Sequence, residues 1–341
     1  MQKPKLHLEE IIWEITGECK NGCEYCGSKG VRNQLTDPAR AIEIAKSICA
    51  AEYEGLSVTI SGGDPLLIPT ETHRIITEMF KDRIIIPKII VNPKSLKESD
   101  LETLSYYKTI GLSINDEKEI SIIHSMPYYN GLCKLPITVI TNFDNFNVAL
   151  FDDIKDIVLD LKNAAWQIQY TMYQDPDAKE ALYSDSMASG RNRKLLESKL
   201  SEIQDKVLLA DNMNPGECSA GSRSLGILYD GTVIPCLSFR SWMNEDMINR
   251  TTQGNLLDNE ELDAIWEENF QGYRFQCFEC CKDICNNRVI NIDKPTAFKQ
   301  FPEFPHTPTE LEKYPNNPFH RDMVIVYGVG TYPTTNIEWS E

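Results

Sequence analysis

The sequence has no apolar run long enough to cross a bilayer, and its first residues have no apolar segment like the core of a signal peptide. These absences favour a cytoplasmic protein that does not enter a membrane. Basic residues are also few, with 34 Lys and Arg against 51 Asp and Glu and a formal charge of −17, and they form no run. Such a chain would repel phosphate backbones, so nucleic acid is excluded as an expected partner.

Histidine is scarce, and no pattern of histidines and carboxylates marks a general base. Internal repeats and long low-complexity segments are absent as well, which excludes a repeat array. Each of the five histidines is therefore predicted to be a surface or packing residue rather than a catalyst. They are His7, His73, His124, His306 and His320.

Cysteine is abundant, with 11 residues in a chain that shows no export signal. The cytosol keeps thiols reduced, so clustered cysteines there indicate metal binding or catalysis more often than a disulfide scaffold. Cys49 and Cys133 stand alone and are predicted to be small buried hydrophobic residues. The other nine form an early and a late group: Cys19, Cys23 and Cys26, then Cys218, Cys236, Cys277, Cys280, Cys281 and Cys285.

Short β-branched runs alternate with amphipathic segments over the first two thirds of the chain. This alternation predicts βα units in a parallel sheet or partial barrel, with strands buried on both faces. Parallel sheets bind ligands where their strands end. The predicted strands are 11–16, 56–61, 88–92, 109–115, 137–142, 166–173 and 206–211. The predicted helices are 37–54, 70–82, 98–107, 147–163 and 188–205.

Composition changes twice along the chain and predicts three parts. Residues 1–212 form the barrel domain, and residues 213–290 form a small cysteine-rich module organised by metal. Asp230-Gly231 lies between two short apolar runs in that module and predicts a hairpin. Residues 291–341 form a tail rich in proline and aromatic residues, to which no function is assigned.

The early cysteines lie in ECKNGCEYCGSKG, residues 18–30, directly after the first predicted strand. A structural zinc site needs four ligands, and the nearest histidine is His7. A [4Fe–4S] cluster held by three cysteines leaves one iron without a protein ligand, so that another molecule can bind there. The cluster is therefore the favoured interpretation.

This stretch resembles the signature of radical S-adenosylmethionine (radical SAM) enzymes. The spacing C-x3-C-x2-C and Tyr25 before the third cysteine both match that signature. The resemblance implies a partial (β/α)6 TIM-like barrel. It also implies that the amino and carboxylate groups of S-adenosylmethionine (SAM) chelate the open iron, with Tyr25 near the adenine.

A second match is SGGDP, which follows the second predicted strand. Two glycines at a strand end let the backbone approach a ligand closely, although an ordinary turn has the same composition. The segment resembles the family's GGEP motif, which contacts the SAM amino group, with Asp64 in place of glutamate. The resemblance thus implies SAM contacts at Gly62, Gly63, Asp64 and Pro65, and at the strand-end residues Ser113, Asn115 and Asn142.

The late cysteines resemble SPASM and twitch modules, which carry auxiliary iron–sulfur clusters. Cys218 and Cys236 give C-x12-G-x4-C around the predicted hairpin. One auxiliary [4Fe–4S] cluster is expected and two are possible, while structural zinc is the alternative. Cys218 and Cys236 are the firmer ligands, and the remaining ones come from Cys277, Cys280, Cys281 and Cys285.

The resemblance implies an enzyme that reductively cleaves SAM to a 5′-deoxyadenosyl radical, which abstracts hydrogen from a substrate. The favoured substrate is a peptide or protein side chain, oxidised or crosslinked in a ribosomally made precursor. The alternatives are a small-molecule dehydrogenase acting on an aminocyclitol or sugar and, more remotely, a non-catalytic iron–sulfur or zinc protein. Expected partners are a flavodoxin- or ferredoxin-like electron donor, a precursor peptide and a separate leader-binding protein, since the barrel begins by residue 11.

Overall fold

The computed structural model describes most of residues 8–170 and selected segments beyond them. The described ranges are 8–23, 26, 34–53, 55–143, 147–161, 164–170, 195–196, 198–200, 207–209, 223–235, 237, 252–258 and 260–267.

Ten described strands form one open sheet in the order β10-β9-β8-β1-β2-β3-β4-β5-β6-β7. All neighbours from β8 through β7 are parallel, whereas β9 and β10 are antiparallel to the strands beside them. The strands are β1 Glu10–Thr16, β2 Ser57–Gly62, β3 Ile86–Val91, β4 Thr109–Ser113, β5 Ile137–Phe143, β6 Ala165–Tyr170, β7 Val207–Leu209, β8 Ser224–Ile227, β9 Thr232–Ile234 and β10 Gly254–Asn255.

Helices connect the parallel strands. The first helix begins at Pro38, next to its predicted start at residue 37. The Asp37 side chain accepts from the Ala39 amide as a helix cap, and Pro38 occupies the first turn. The α-helices are α1 Pro38–Ala50, α2 Thr70–Asp82, α3 Asp100–Ser105, α4 Glu117–Ser125, α5 Tyr129–Leu132, α6 Phe151–Asp160 and α7 Leu262–Ile265. Short 3₁₀ helices span Pro65–Leu67 and Val148–Leu150.

The two faces of the parallel sheet differ in chemistry. One face carries Trp13, Ile60 and Leu112, which join the buried helix side chains in a single apolar cluster. Ile12 and Ile140 are also buried but point to the other face and lie outside that cluster. Polar side chains on this second face are buried as well: Glu10, Thr59, Thr138, Gln167 and Ser224.

The predicted burial of the strands on both faces is confirmed for β1, whose seven residues are all buried, but the second face also carries polar side chains. Glu10 accepts from the Thr59 hydroxyl at 3.2 Å and pairs with Lys88 at 3.4 Å. Buried polar groups are tolerated where they bond to one another or to a ligand, whereas the helix-covered face has to exclude them. The helices thus cover the apolar face, and the polar face lines the interior of the partial barrel.

The described part of the cysteine-rich region continues the sheet. Strands β8 and β9 form the predicted hairpin, with Gly231 in its turn at φ +87°. Because β8 pairs in parallel with β1, the open end of the hairpin lies at the edge where β1 begins. Helix α7 packs nearby on α1, and Trp266 belongs to the main apolar cluster.

The predicted α/β architecture is confirmed as a parallel sheet that is not closed. Each of the seven predicted strands coincides with an observed strand, and helical residues lie within all five predicted helices. Helices α4 and α5 were not predicted. No described helix has both the length and the apolar character that spanning a bilayer requires.

Candidate functional site

The early cysteines lie on the loop that follows β1. We call the edge of the sheet where β1–β6 end the carboxyl edge. Cys19, Cys23 and Cys26 are all half-buried there, and Tyr25 lies outside the described residues. The Cys26 amide donates to the Cys23 carbonyl at 3.2 Å, so the loop turns between these two cysteines. The predicted motif therefore lies at the edge where parallel sheets bind ligands.

Three thiols on one loop suit a cluster better than a single ion. Among the residues described, no three His, Cys, Asp or Glu side chains are arranged to hold one metal ion. A [4Fe–4S] cluster binds each cysteine to a different iron, so its ligands lie further apart than those of a single ion. The donor set of Cys19, Cys23 and Cys26 fits such a cluster with one iron left open.

The SGGDP turn packs directly against the start of the cysteine loop. The Gly63 amide donates to the Thr16 carbonyl at 2.6 Å, and the Asp64 amide donates to the Glu18 carbonyl at 2.7 Å. A Cβ atom on Gly62 would lie 2.4 Å from the Thr16 carbonyl oxygen, and one on Gly63 would lie 2.1 Å from that of Glu18. The two glycines are thus required by contact between the two loops, a reason that the sequence did not show.

The Asp64 carboxylate is bonded within its own turn. It accepts from the Leu66 amide at 3.2 Å and caps the 3₁₀ helix Pro65–Leu67. Burial raises its pKa, although hydrogen bonds from the Ser95 hydroxyl and the Leu66 amide oppose the shift. Asn21 of the cysteine loop also donates to Ser95, at 2.5 Å. Asp64 and Ser95 therefore connect the turn to the cysteine loop.

Side chains at the ends of β4 and β5 form what we call the asparagine network: Asn115, Asn142 and Asn147. The Asn115 Oδ1 atom accepts from the backbone N of Asn142 at 2.7 Å and from its Nδ2 at 3.0 Å. Asn115 also donates from Nδ2 to the Ser113 hydroxyl at 2.9 Å. Because Asn115 is only 3% exposed and Ser113 and Asn142 are partly exposed, the latter two are better placed to contact a ligand.

Glu119 holds this network in place through hydrogen bonds and an ion pair. Its side chain is fully buried and accepts from the Asn115 backbone N at 2.5 Å. It also accepts from Asn92 Nδ2 at 2.6 Å and lies 3.0 Å from the Lys94 ammonium. A buried carboxylate with several donors and a cation satisfies its charge internally. Glu119 thus joins the residues after β3 to the end of β4.

Sequence reasoning missed Glu119, Asn92 and Lys94. The available signal was Asp116-x-x-Glu119, a capping box that opens α4, with the Glu119 amide donating to Asp116 at 2.8 Å. Recognising this helix would have placed Glu119 at the carboxyl edge. The contact with Asn92 joins residues 27 positions apart and has no local signature.

The isolated cysteines were predicted to be buried, and Cys49 and Cys133 are only partly buried, although both pack against the core. Burial raises the pKa of Cys49 to about 11, so its thiol is protonated near neutral pH. The late cysteines lie outside the described residues: Cys218, Cys236, Cys277, Cys280, Cys281 and Cys285.

Comparisons with known proteins agree with this arrangement. Residues 218–287 match SPASM, an iron–sulfur cluster-binding domain. A structure of anSMEcpe with bound AdoMet superposes with a TM-score of 0.61 at 15% identity, covering 83% of this chain and 85% of that one. A structure of Streptococcus suis SuiB bound to S-adenosylmethionine gives a TM-score of 0.55 at 17% identity, covering 78% and 67%. No curated protein matches the sequence significantly.

Proposed function

We propose that this chain cleaves SAM reductively and modifies a peptide or protein side chain. It has the fold of radical SAM enzymes, and residues 218–287 match a SPASM-type iron–sulfur module. One observation carries the proposal. The loop with Cys19, Cys23 and Cys26 is held by backbone hydrogen bonds against the SGGDP turn at the carboxyl edge. A cluster ligand set and a glycine turn are thus neighbours, as binding one SAM molecule requires.

The chain's own residues take distinct roles in this proposal. Cys19, Cys23 and Cys26 hold a [4Fe–4S] cluster, which when bound supplies the electron that cleaves SAM to methionine and a 5′-deoxyadenosyl radical. Backbone carbonyls of the SGGDP turn accept from the SAM ammonium group, and the Asp64 carboxylate holds the turn by accepting from the Leu66 amide. Ser113 and Asn142 contact the ribose, and Tyr25 lies near the adenine.

The auxiliary cluster belongs to the cysteine-rich region in this proposal. Cys218 and Cys236 would supply two ligands, and the others would come from Cys277, Cys280, Cys281 and Cys285. The open end of the β8–β9 hairpin faces the edge opposite the early cysteines.

A peptide is the substrate class that we favour. SuiB shares the fold, and one of its structures is bound to the precursor peptide SuiA. In this chain, the Gln167 side chain is buried on the polar face, and its Oε1 atom has no hydrogen-bond partner among the described residues. A buried acceptor without a donor is costly unless a ligand supplies one, and a peptide N–H would do so, as would a hydroxyl of an aminocyclitol, so the preference for a peptide rests on the shared fold.

The decisive experiment compares two sets of cysteine variants. The protein is purified without oxygen, reconstituted with iron and sulfide and reduced, and 5′-deoxyadenosine is then measured with SAM present. Replacing Cys19, Cys23 and Cys26 with alanine should abolish the product, whereas replacing Cys49 and Cys133 makes the same chemical change outside the site and should preserve it. Reductive SAM cleavage by the triple variant would falsify the proposal.

The substrate class needs a separate test. The reduced enzyme and SAM are incubated with a synthetic peptide translated from a short reading frame beside the gene, and the peptide mass is measured. Loss of hydrogen from the peptide supports a peptide oxidase or crosslinking enzyme. An unchanged peptide, together with SAM-dependent oxidation of an aminocyclitol, would instead support the small-molecule alternative.

A further inference from the structure

A fully buried histidine lies directly beneath the SGGDP turn. His73 projects from α2, and its Nε2 atom lies 3.0 Å from the Pro65 carbonyl oxygen. Its Nδ1 atom bonds to the Tyr107 hydroxyl, which is buried as well. The ring thus spans the space between the turn after β2 and the residues after α3.

The two partners fix the proton position on the imidazole. A carbonyl oxygen only accepts, so Nε2 carries the proton, and Nδ1 then accepts from the Tyr107 hydroxyl. Burial lowers the pKa of His73 to about 4, and the hydrogen bond to the Pro65 carbonyl opposes the shift. The ring is therefore neutral near pH 7, with one defined donor directed at the turn.

The Pro65 carbonyl is also the acceptor for the turn itself. It accepts from the Ile68 amide at 3.1 Å, the hydrogen bond that closes the 3₁₀ helix Pro65–Leu67. His73 adds a second donor to that oxygen from outside the turn. Pro65 follows Gly63 and Asp64, whose amides bond to the strand end before the cysteine loop. A shift of Pro65 would thus move the backbone that packs against that loop.

We propose that His73 is a positioning residue that holds the SGGDP turn in the conformation that binds SAM. This inference rests on the proposed function, because it assigns the turn to the SAM ammonium group. His73 itself bonds to the Pro65 carbonyl and the Tyr107 hydroxyl rather than acting as a ligand-binding group. Its contribution is to fix the Pro65 carbonyl, and with it the backbone of Gly63 and Asp64.

Three variants separate positioning from general stability. His73→Phe keeps an aromatic ring but removes the donor, while His73→Gln keeps an N–H that can reach the Pro65 carbonyl. Thr103→Val is the matched control, because it breaks the part-buried 2.8 Å contact between the Thr103 and Thr70 hydroxyls, which joins α3 to α2 away from Pro65.

Two measurements are made on the full chain. The first is the SAM dissociation constant of the anaerobically reconstituted protein, by equilibrium dialysis. We expect His73→Phe to weaken it about tenfold, equal to about 1.4 kcal/mol for a lost buried hydrogen bond, and His73→Gln to restore most of the affinity. Thr103→Val should stay within about twofold of the wild type.

The second measurement is amide hydrogen exchange without SAM. His73→Phe should accelerate exchange in residues 63–68, while residues 109–113 of β4 serve as the internal reference. Unchanged exchange, or faster exchange with unchanged SAM affinity, would overturn the inference. If the wild type with a loaded cluster does not bind SAM, the proposed function fails and this inference with it. If the wild type binds SAM normally and His73→Phe binds it equally well, the inference about His73 is overturned but the proposed function stands.

Discussion

Two supports lie beneath the carboxyl edge, and they use different chemistry. The turn support consists of His73, Tyr107, Gly62 and Gly63, and it holds the end of β2 through neutral side chains and backbone contacts. The network support consists of Glu119, Lys94, Asn92 and Asn115, and it holds the ends of β3 and β4 around a buried charge.

The difference follows from what each support has to hold. The turn packs against another loop at backbone distance, so it needs small residues and donors directed at carbonyl groups. The residues after β3 and β4 are instead joined through the Glu119 side chain, which accepts from Asn92 and from the Asn115 backbone N. A carboxylate can accept several hydrogen bonds at once, and this accounts for Glu119 as the common partner.

The largest predicted effect is on the network support. Glu119→Gln removes the charge that faces Lys94 and places an amide donor among groups that already donate. We expect a loss of about 3 to 5 kcal/mol in the free energy of unfolding, measured by urea denaturation. Glu117→Gln makes the same change at an exposed position of the same helix and should cost less than about 0.5 kcal/mol. Equal losses for the two variants would contradict the central role of Glu119.

The turn support should instead respond to acid through His73. Its folded pKa of about 4 lies below the ordinary value of 6.5, so between these values the unfolded chain binds a proton that the folded chain excludes. The stability contribution is therefore fully present above pH 6.5 and is lost as the pH falls toward 4, by about 3 kcal/mol in all.

This pH dependence is measured as the difference between the wild type and His73→Gln. Asp64, whose pKa is raised by burial, contributes a slope of the opposite sign in both proteins, so it cancels in the difference. The variant should lose less stability between pH 6.5 and 4.5 than the wild type does. Parallel curves for the two proteins would show that folding does not lower the pKa of His73.

The glycine contact predicts a smaller loss of stability with a local consequence. In Gly63→Ala the new methyl group meets the Glu18 carbonyl, and we expect a cost of about 1 to 3 kcal/mol together with reduced iron incorporation, because the cysteine loop has to move. Gly55→Ala is the control for an added methyl group, since nothing lies within 4 Å of its Cβ position, although its φ of +72° adds backbone strain that Gly63→Ala does not have. Its iron content should equal that of the wild type.

The sequence predicted the sheet because short apolar β-branched runs and amphipathic helix patterns are local signals. It placed the cysteine loop and the SGGDP turn correctly for the same reason: each follows a strand whose apolar run is unmistakable. The polar residues of the second sheet face were the exception. Glu10 and Thr59 are far apart along the chain, so neither shows that the other satisfies it.

The roles within the site were less predictable. The sequence shows that Gly62 and Gly63 allow a close backbone approach, but not which atoms would collide with a side chain there. Those atoms are the Thr16 and Glu18 carbonyls, which lie at the end of a different strand. His73 was predicted to be a surface or packing residue, and its burial confirms packing. Its bond to the Pro65 carbonyl depends on the direction of α2, which no local pattern specifies.

The smallest predicted effect distinguishes residues that face a ligand from those that hold the network together. Ser113 is partly exposed and accepts from Asn115, so Ser113→Ala removes one peripheral hydrogen bond and should cost about 1 kcal/mol or less. Asn115→Ala removes the acceptor for both Asn142 donors and should cost more.

Affinity for SAM should rank these two variants differently from stability. If Ser113 contacts the ribose, Ser113→Ala weakens SAM binding more than its stability loss explains, because the hydroxyl proton is still available to a ligand when the oxygen accepts from Asn115. Asn115→Ala, measured below its melting temperature, should weaken binding only through displacement of Ser113 and Asn142. The double variant Ser113→Ala/Asn115→Ala distinguishes direct contact from indirect displacement. If Ser113 contacts SAM directly, replacing it should still weaken SAM binding when Asn115 is already alanine. Disappearance of that loss would place the ligand contact elsewhere along the edge.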